Sequence, residues 1–311
     1  MSALDPVKDY LLDAPHPLIG AETIQILLIR EILDYTVLRT EETRDLNVAQ
    51  TPLSMDKPEP VRRVAFLATK QKSAESRELE HMLRSARRSA GMEPVECYLK
   101  DNLCLRCPRC GLFGGVSTAS GQAERANIKH RVEYSTAFSL VPFEEIESST
   151  TFNAINDRNQ TTGQALGQRN AVVPATLFPS VVTLKSATER ELVLTLKTLL
   201  SCKSYGAEGR VGGDVRNHIV GIVAGWEEIV TALELSLELY TRQDGLARED
   251  VKRLLDDRYL PMAANRNRVK VLEPGEVEAL VSECAGRDLD RSFVEAAYQD
   301  IADYRTEQTS S

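Results

Sequence analysis

Three of the chain's six cysteines fall in one run, Cys104-Leu105-Arg106-Cys107-Pro108-Arg109-Cys110-Gly111. Two-residue gaps on a turn let neighbouring thiolates converge on one tetrahedral ion, and the Cys-Pro-Arg-Cys-Gly ending has the form of a tight knuckle. Arg106 and Arg109 offset the thiolate charge. The donor set suits zinc but is one ligand short. Cys97, seven residues upstream, would complete a four-thiolate site, whereas His130, at the far end of the same loop, would make a three-Cys, one-His site. An iron–sulfur cluster accepts similar spacing, but the knuckle glycine and the lack of a fourth cysteine close downstream favour zinc. Cys107 and Cys110 also form a Cys-x-x-Cys pair of the kind that exchanges disulfides, although three clustered thiols suit a ligand shell better. Buried free cysteines fit poorly in a loop so rich in Arg and Gly. A structural zinc holds a loop and by itself names no function.

No other constellation suggests catalysis. His16, His81, His130 and His218 lie in four unrelated segments, so serine–histidine or cysteine–histidine chemistry has no local support. At 311 residues the chain can bury one sizeable core with insertions, or two modest domains. No stretch reaches the roughly 20 apolar residues of a membrane span, and the N-terminus lacks the basic-then-apolar pattern of a secretory signal. Six cysteines with three bunched fit a reducing compartment better than a disulfide framework. The expectation is a soluble, cytoplasmic protein. A net charge of −8 argues against nucleic acid, but its distribution argues the other way. Residues 57–131 carry fifteen Lys/Arg against eight Asp/Glu, and residues 227–311 carry eleven against nineteen, an asymmetry that focuses a polyanion on one face.

The elements that must position these groups follow from periodicity. Residues 23–39 read as a long β-branched strand, and 40–60, with Pro52, Pro58 and Pro60, as a lid-like loop. A helix is expected over 74–90, capped by Ser73 or Ser76, with Leu79, Met82, Leu83 and Ala86 as its apolar stripe and Gly91 at its end. The cysteine loop follows at 95–130, then an alternating strand at 131–139. The stretch 148–170 is polar and amide-rich and contributes little to a core. Strand pattern resumes at 171–184, a capping box of Ser186 and Glu189 opens the next helix, and a loop with four glycines between Gly206 and Gly213 leads into a buried strand at 217–224. After Trp226 helices are expected at 226–242, 247–257, 274–284 and 288–304, with a basic link over 265–270. The order strand, helix, strand, strand, helix, strand is that of the split βαβ, so the predicted class is α+β: a ferredoxin-like (RRM-like) βαββαβ palm over 1–225 with three insertions, and a helical region over 226–311.

This core, with a glycine-rich loop entering its last strand, resembles the RAMP superfamily of CRISPR proteins. Its insertions look like those of the backbone (large repeated) subunit of type I-D CRISPR effector complexes. The residues that carry the resemblance are Lys70-Gln71-Lys72, the cysteine run, Asn127-Ile128-Lys129-His130-Arg131-Val132, Phe152-Asn153-Ala154-Ile155, and Tyr205-Gly206 to Gly213. Membership implies a non-enzymatic antiviral-defence subunit that polymerises along the guide RNA. It would present that RNA for pairing with target DNA beside companion subunits and copies of itself. The polar hairpin would be a thumb that crosses the guide. An A-form heteroduplex is bound through backbone and shape, which calls for Lys/Arg and backbone N–H groups rather than a base-reading pocket.

On that resemblance the RNA-binding candidates are Lys70 and Lys72 at the helix entrance, Arg77, Arg84 and Arg88 on one helix face, and Phe152, Arg158 and Arg169 in the thumb. Lys203, Gly206 and Arg210 in the glycine loop complete the set. This loop lacks the Gly-Lys-Ser/Thr ending of a nucleoside-triphosphate cradle. Related type III subunits cut their target with a loop aspartate, and the corresponding loop here holds Asp45 and Asp56, either of which could bind a metal ion beside a phosphate. The competing expectation is a zinc- or thiol-dependent enzyme with the cysteine run as its active site.

Overall fold

Thr23–Ile32 (β1) is a run of Ile and Leu with almost every residue buried, which a strand shows only when both its faces are covered. A computed structural model describes residues 2–40, 45–99, 102–116, 127–152, 155–156, 158–162, 167–207, 212–242 and 246–310. Its elements continue with Val48–Ser54 (β2), Lys57–Phe66 (β3), Ala68–Ser89 (α1), Pro108–Phe113 (α2), Gly115–Val116 (β4), Asn127–Ile128 (β5), Val132–Tyr134 (β6) and Ala137–Phe138 (β7). Next are Glu147–Phe152 (β8), Ile155–Asn156 (β9), Thr161–Thr162 (β10), Gly167–Val172 (β11), Leu177–Lys185 (β12), Glu189–Ser201 (α3) and Val215–Gly225 (β13). Ala232–Tyr240 (α4), Arg248–Leu254 (α5), Val269–Val271 (β14), Pro274–Gly286 (α6) and Arg291–Thr309 (α7) complete the chain.

The fold is mixed α+β, built on a five-stranded sheet in the order β14-β13-β1-β12-β6 with every neighbouring pair antiparallel. Ile24, Ile26 and Leu28 of β1 face one core with Leu79 and Leu83 of α1, Leu192, Leu196 and Leu199 of α3, and residues of α6 and α7. Leu27 and Ile29, pointing the other way, pack with Leu235 and Leu239 of α4 and Val251 and Leu254 of α5. The C-terminal helices therefore cover both faces of the sheet. Among the described residues no helix is long and apolar enough to cross a membrane.

Several sequence expectations shift. The first strand stops at Ile32 rather than 39. Residues 48–66, expected to be mostly loop, form the β2–β3 hairpin, whose register sets Pro52 opposite Pro60. Prolines are tolerated there because β3 pairs with β7 only at Ala65 and Phe66, leaving the outer stretch with no second ladder to supply. Helix α1 starts at Ala68, about six residues early, with no side-chain cap, so Lys70 and Lys72 lie inside its first turns. The strand expected at 131–139 is two short pieces in different sheets. The strand expected at 171–184 breaks at Val173–Thr176, where Pro174 precedes Ala175 at φ +65°. The capping box of α3 is Thr188 with Glu191, not Ser186 with Glu189, because Ser186 instead accepts a hydrogen bond from the Gly20 amide. The basic link at 265–270 contributes β14, a fifth strand; of the four tail helices α6 starts at Pro274 as expected, and the other bounds shift by one to six residues.

Candidate functional site

The thiols are positioned by short-range geometry. Leu105 adopts φ +54°, turning the chain so that Cys107 caps α2 and its sulfur accepts the Cys110 amide at 3.4 Å. Cys104 Sγ accepts the Arg106 amide at 3.5 Å. Cys97 reaches this knuckle from outside: its Sγ lies 3.5 Å from that of Cys110 and 3.7 Å from that of Cys107. All four sulfurs of Cys97, Cys104, Cys107 and Cys110 fall within 4.8 Å of one another. Four thiolates about 2.3 Å from one zinc sit about 3.8 Å apart, while a disulfide needs about 2.05 Å, so the spacing is that of a tetrahedral ligand shell. The group could therefore hold a metal ion. His130 is not part of it. Ile128 of β5 packs into the same cluster as the cysteines, but two residues on His130 is exposed, and partial burial and then Lys72 hold its imidazole below the ordinary value.

The surroundings fit such a group. Hydrogen bonds from Cys104, Cys107 and Cys110 push the Cys97 thiol far down, while the same neighbours and burial push Cys107 up, so charge concentrates where a cation would compensate it. Arg109 Nη1 faces Cys110 Sγ at 3.8 Å, and its Nε donates to the Ser76 hydroxyl at 2.9 Å. Arg84 donates to the Cys97 carbonyl at 2.6 Å and pairs with Glu80 at 3.1 Å. Burial, and next the Cys97 charge, raise the Glu80 carboxyl to about 7. Ile301 and Tyr304 of α7 close the apolar side.

The proposed nucleic-acid contacts divide. Lys70 and Lys72 occupy the first turns of α1, which has no acidic residue there; two cations at the positive end of a helix dipole are unfavourable unless an anion joins them. Arg77 is exposed and bonds Ser73 at 2.6 Å. Arg84 straps the cysteine loop, so the expected arginine stripe is partly structural, and Arg87 likewise holds the Glu93 carbonyl at 2.8 Å; Arg88 is exposed. Lys203 is exposed, and its carbonyl accepts the Val215 amide at 2.8 Å. Gly206 has φ +82°, and a Cβ there would lie 2.7 Å from the Val37 carbonyl; one at Gly212 would lie 2.4 Å from that of Tyr35. Close crossing of the segment after β1 accounts for these two glycines without a phosphate. Arg210 lies outside the described residues. The polar stretch forms the β8–β11 hairpin, tipped by β9 and β10, with Arg169 on β11 and Arg158 exposed at the tip. Phe152 ends β8, and its side chain lies outside the described residues, as do Asn153 and Ala154.

Asp45 accepts from Asn170 at 3.3 Å just before β2, whereas Asp56 sits in the turn at the far end of the hairpin. At about 3.3 Å per residue the length of β2 keeps them roughly 20 Å apart, so they cannot share one metal ion.

Sequence reasoning missed the buried polar centre. Arg30 is fully buried, with Nη1 at 2.6 Å from Glu75, 3.2 Å from Tyr205 and 3.0 Å from Asn217, and Nε at 3.2 Å from Ser180. Tyr134 and Tyr205 donate to Glu75 at 2.5 and 2.8 Å. The rings of Phe66 and Tyr205 flank the guanidinium. This network ties β1, α1, β6, β12, β13 and the glycine loop together, fixing that loop against the helix that carries Lys70 and Lys72. The available signal was a lone arginine within an otherwise apolar strand.

A family model described as Csc2 Crispr matches residues 12–291. The chain belongs to the Csc2 CRISPR family. No curated protein matches it in sequence. Among solved structures, it is similar to Thermofilum pendens Csc2, with TM-score 0.71 and 21% identity over 100% of this chain and 98% of that one. It is also similar to a chain of a CRISPR RNA-guided surveillance complex, with TM-score 0.51 and 12% identity over 84% of this chain and 99% of that one. A pre-nicking form of such a complex gives TM-score 0.50 and 11% identity over 84% and 100%. At these identities the likeness shows a shared fold: the Csc2 arrangement of antiparallel sheets and helices.

Proposed function

We propose that this Csc2-family chain is the guide-RNA-binding backbone subunit of a type I-D CRISPR effector. It polymerises along the RNA with companion subunits in the cytoplasm and presents the guide for pairing with target DNA. The observation that carries the reading is the cationic, acid-free first turn of α1, held beside the glycine loop by the Arg30–Glu75 network in a chain of this family. The strand order β13-β1-β12-β6, threaded in sequence as β1, α1, β6, β12, α3 and β13, supports a ferredoxin-like, RRM-like palm, with β8–β11 as its thumb. Because both sheet faces are covered, the RNA path runs over α1, the glycine loop and the insertions rather than across the sheet. Lys70, Lys72, Arg77 and Lys203 are its grips among the described residues.

The four thiols hold a structural zinc, supported by their tetrahedral spacing and by the cations around them. Bound there, the ion supplies a cross-link that an insertion without a core of its own needs. Cys97, Cys107 and Cys110 are buried and engaged with one another and only Cys104 is partly exposed, an arrangement that favours a scaffold over a zinc or thiol enzyme.

The test is co-expression of the tagged chain with a repeat–spacer transcript and companion subunits. A discrete RNA of repeat–spacer origin, protected from ribonuclease at regular intervals, is the expected outcome. Protein that purifies with its metal but never with RNA would sink the scaffold reading.

A further inference from the structure

Beside the thiol knuckle, a cleft of about 460 Å³ opens between α1 and the β4–β5 hairpin. Its nitrogen donors come from three separate segments: Lys72 from α1, Arg109 from the knuckle and His130 from the chain after β5. Burial and then Arg109 hold the Lys72 ammonium below its ordinary value, and burial and then Lys72 do the same to the His130 imidazole, so the three groups share one space, which His130 enters as a neutral hydrogen-bond donor. None of them makes an ion pair among the described residues. The nearby carboxylates are engaged elsewhere, Glu133 with Lys185 at 3.0 Å and Glu80 with Arg84 at 3.1 Å. One edge of Arg109 faces the thiols; Lys72 and His130 feel the Glu133 charge, but neither pairs with it among the described residues.

The remainder of the cleft is apolar. Leu99, Leu103, Phe113, Val116 and Ile128 line it, and Leu99 and Val116 are 45% and 59% exposed. A bare phosphate would satisfy the cations but leave this wall in water, and a volume in the range of organic-ligand sites would stay largely unfilled. Thr69 and Ser73 on the α1 side add hydroxyls suited to a sugar. A cationic end with an apolar wall matches one ligand chemistry, a phosphate joined to a flat, weakly polar ring.

We propose that this cleft is a binding site for a single nucleoside monophosphate unit, with its phosphate at Lys72, Arg109 and His130 and its base against Leu103, Phe113 and Val116. The unit comes either as a free mononucleotide or as one residue of a bound RNA strand; only the second source rests on the guide-RNA reading.

The experiment uses the full chain with its metal retained. Calorimetry measures AMP, with adenosine and inorganic phosphate as partial probes, and fluorescence anisotropy measures a labelled single-stranded RNA octamer. Lys72→Gln, His130→Ala and Val116→Asp are compared with wild type, each first matched for metal content and melting temperature. AMP binding at least tenfold tighter than either partial probe, and weakened at least tenfold by Lys72→Gln and by Val116→Asp, is expected. If RNA affinity falls in parallel in His130→Ala and Val116→Asp, which touch none of the proposed RNA grips, the unit belongs to a strand; if it is unchanged in them while AMP binding is lost, the unit is a free nucleotide. Variants that leave AMP binding unchanged overturn the cleft proposal; if Lys72→Gln also leaves RNA binding unchanged, Lys72 is struck from the RNA grips and the guide-RNA reading rests on Lys70, Arg77 and Lys203. Wild-type protein that takes AMP in a Lys72-dependent way but never carries RNA upholds the cleft and overturns that reading.

Discussion

Replacing Glu75 by Leu removes the only carboxylate in contact with the buried Arg30 guanidinium among the described residues. Both side chains are 0% exposed, so water cannot take the place of the lost partner. Removing one member of a buried ion pair costs about 3–5 kcal/mol, because the survivor is left charged and uncompensated. Tyr134 and Tyr205 lose their acceptor in the same step. Each orphaned hydroxyl is worth about 1–3 kcal/mol alone, but the three effects share one cavity and do not sum. A loss of at least about 4 kcal/mol is expected, on the order of a 6 °C fall in melting temperature for a chain of 311 residues. The double variant Arg30→Met/Glu75→Leu removes both charges, fills similar volume and should be more stable than Glu75→Leu alone. Urea unfolding followed by circular dichroism, at matched metal content, measures all corners of the cycle. A Glu75→Leu cost below about 1 kcal/mol, or a double variant that simply adds the two single losses, would refute the claim that the pair locks the sheet to α1.

Three further outcomes follow. Burial pushes the Cys202 and Cys284 thiols up to about 12, so at pH 8 only about one in ten thousand is ionised. Iodoacetamide should label no cysteine in metal-loaded protein, the four knuckle cysteines after chelation, and all six only on denaturation, as counted by mass spectrometry. The same two thiols set a pH trend: the unfolded chain releases their protons first, near pH 9, so their contribution to stability falls as pH rises from about 9 to 12 and is flat below. Gly206→Ala should cost about 1–3 kcal/mol, since φ is +82° and the Val37 carbonyl blocks a Cβ, whereas Gly275→Ala in α6, with nothing within 4 Å, should be neutral or stabilising by up to about 1 kcal/mol. Equal melting shifts for the two would undercut the close-approach account.

What was readable depended on how local the cause was. The knuckle was legible because Cys104, Cys107 and Cys110 are ligands spaced by the turn itself. The choice between Cys97 and His130 was not, since it depends on which of two distant segments turns its side chain onto the knuckle, and only Cys97 does. The leucine spacing of α3 showed in the sequence, yet its cap was misplaced by two residues because Ser186 and Thr188 are both plausible and only tertiary contact with Gly20 removes the first. The start of α1 was hidden because Leu67 offers no side-chain cap and the buried face there is polar, Gln71, Glu75 and Ser76. The glycines after Tyr205 suggested phosphate, but at Gly206 and Gly212 they answer to the backbone of residues 35–37. Arg84 read as an RNA contact because a helical stripe says nothing of the loop folded against it.

The central sheet ends on both sides in three-residue strands, β14 and β6. Long open edges act as templates for another chain's backbone, and the danger grows with local concentration. A subunit read as lining up in many copies along one polymer would meet its twin at close to millimolar effective density. Blunt edges would deny such twins a shared ladder, so that on the proposed function the spacing between copies would be left to the nucleic acid and the inserted loops, and the array would stay countable instead of growing into a fibre.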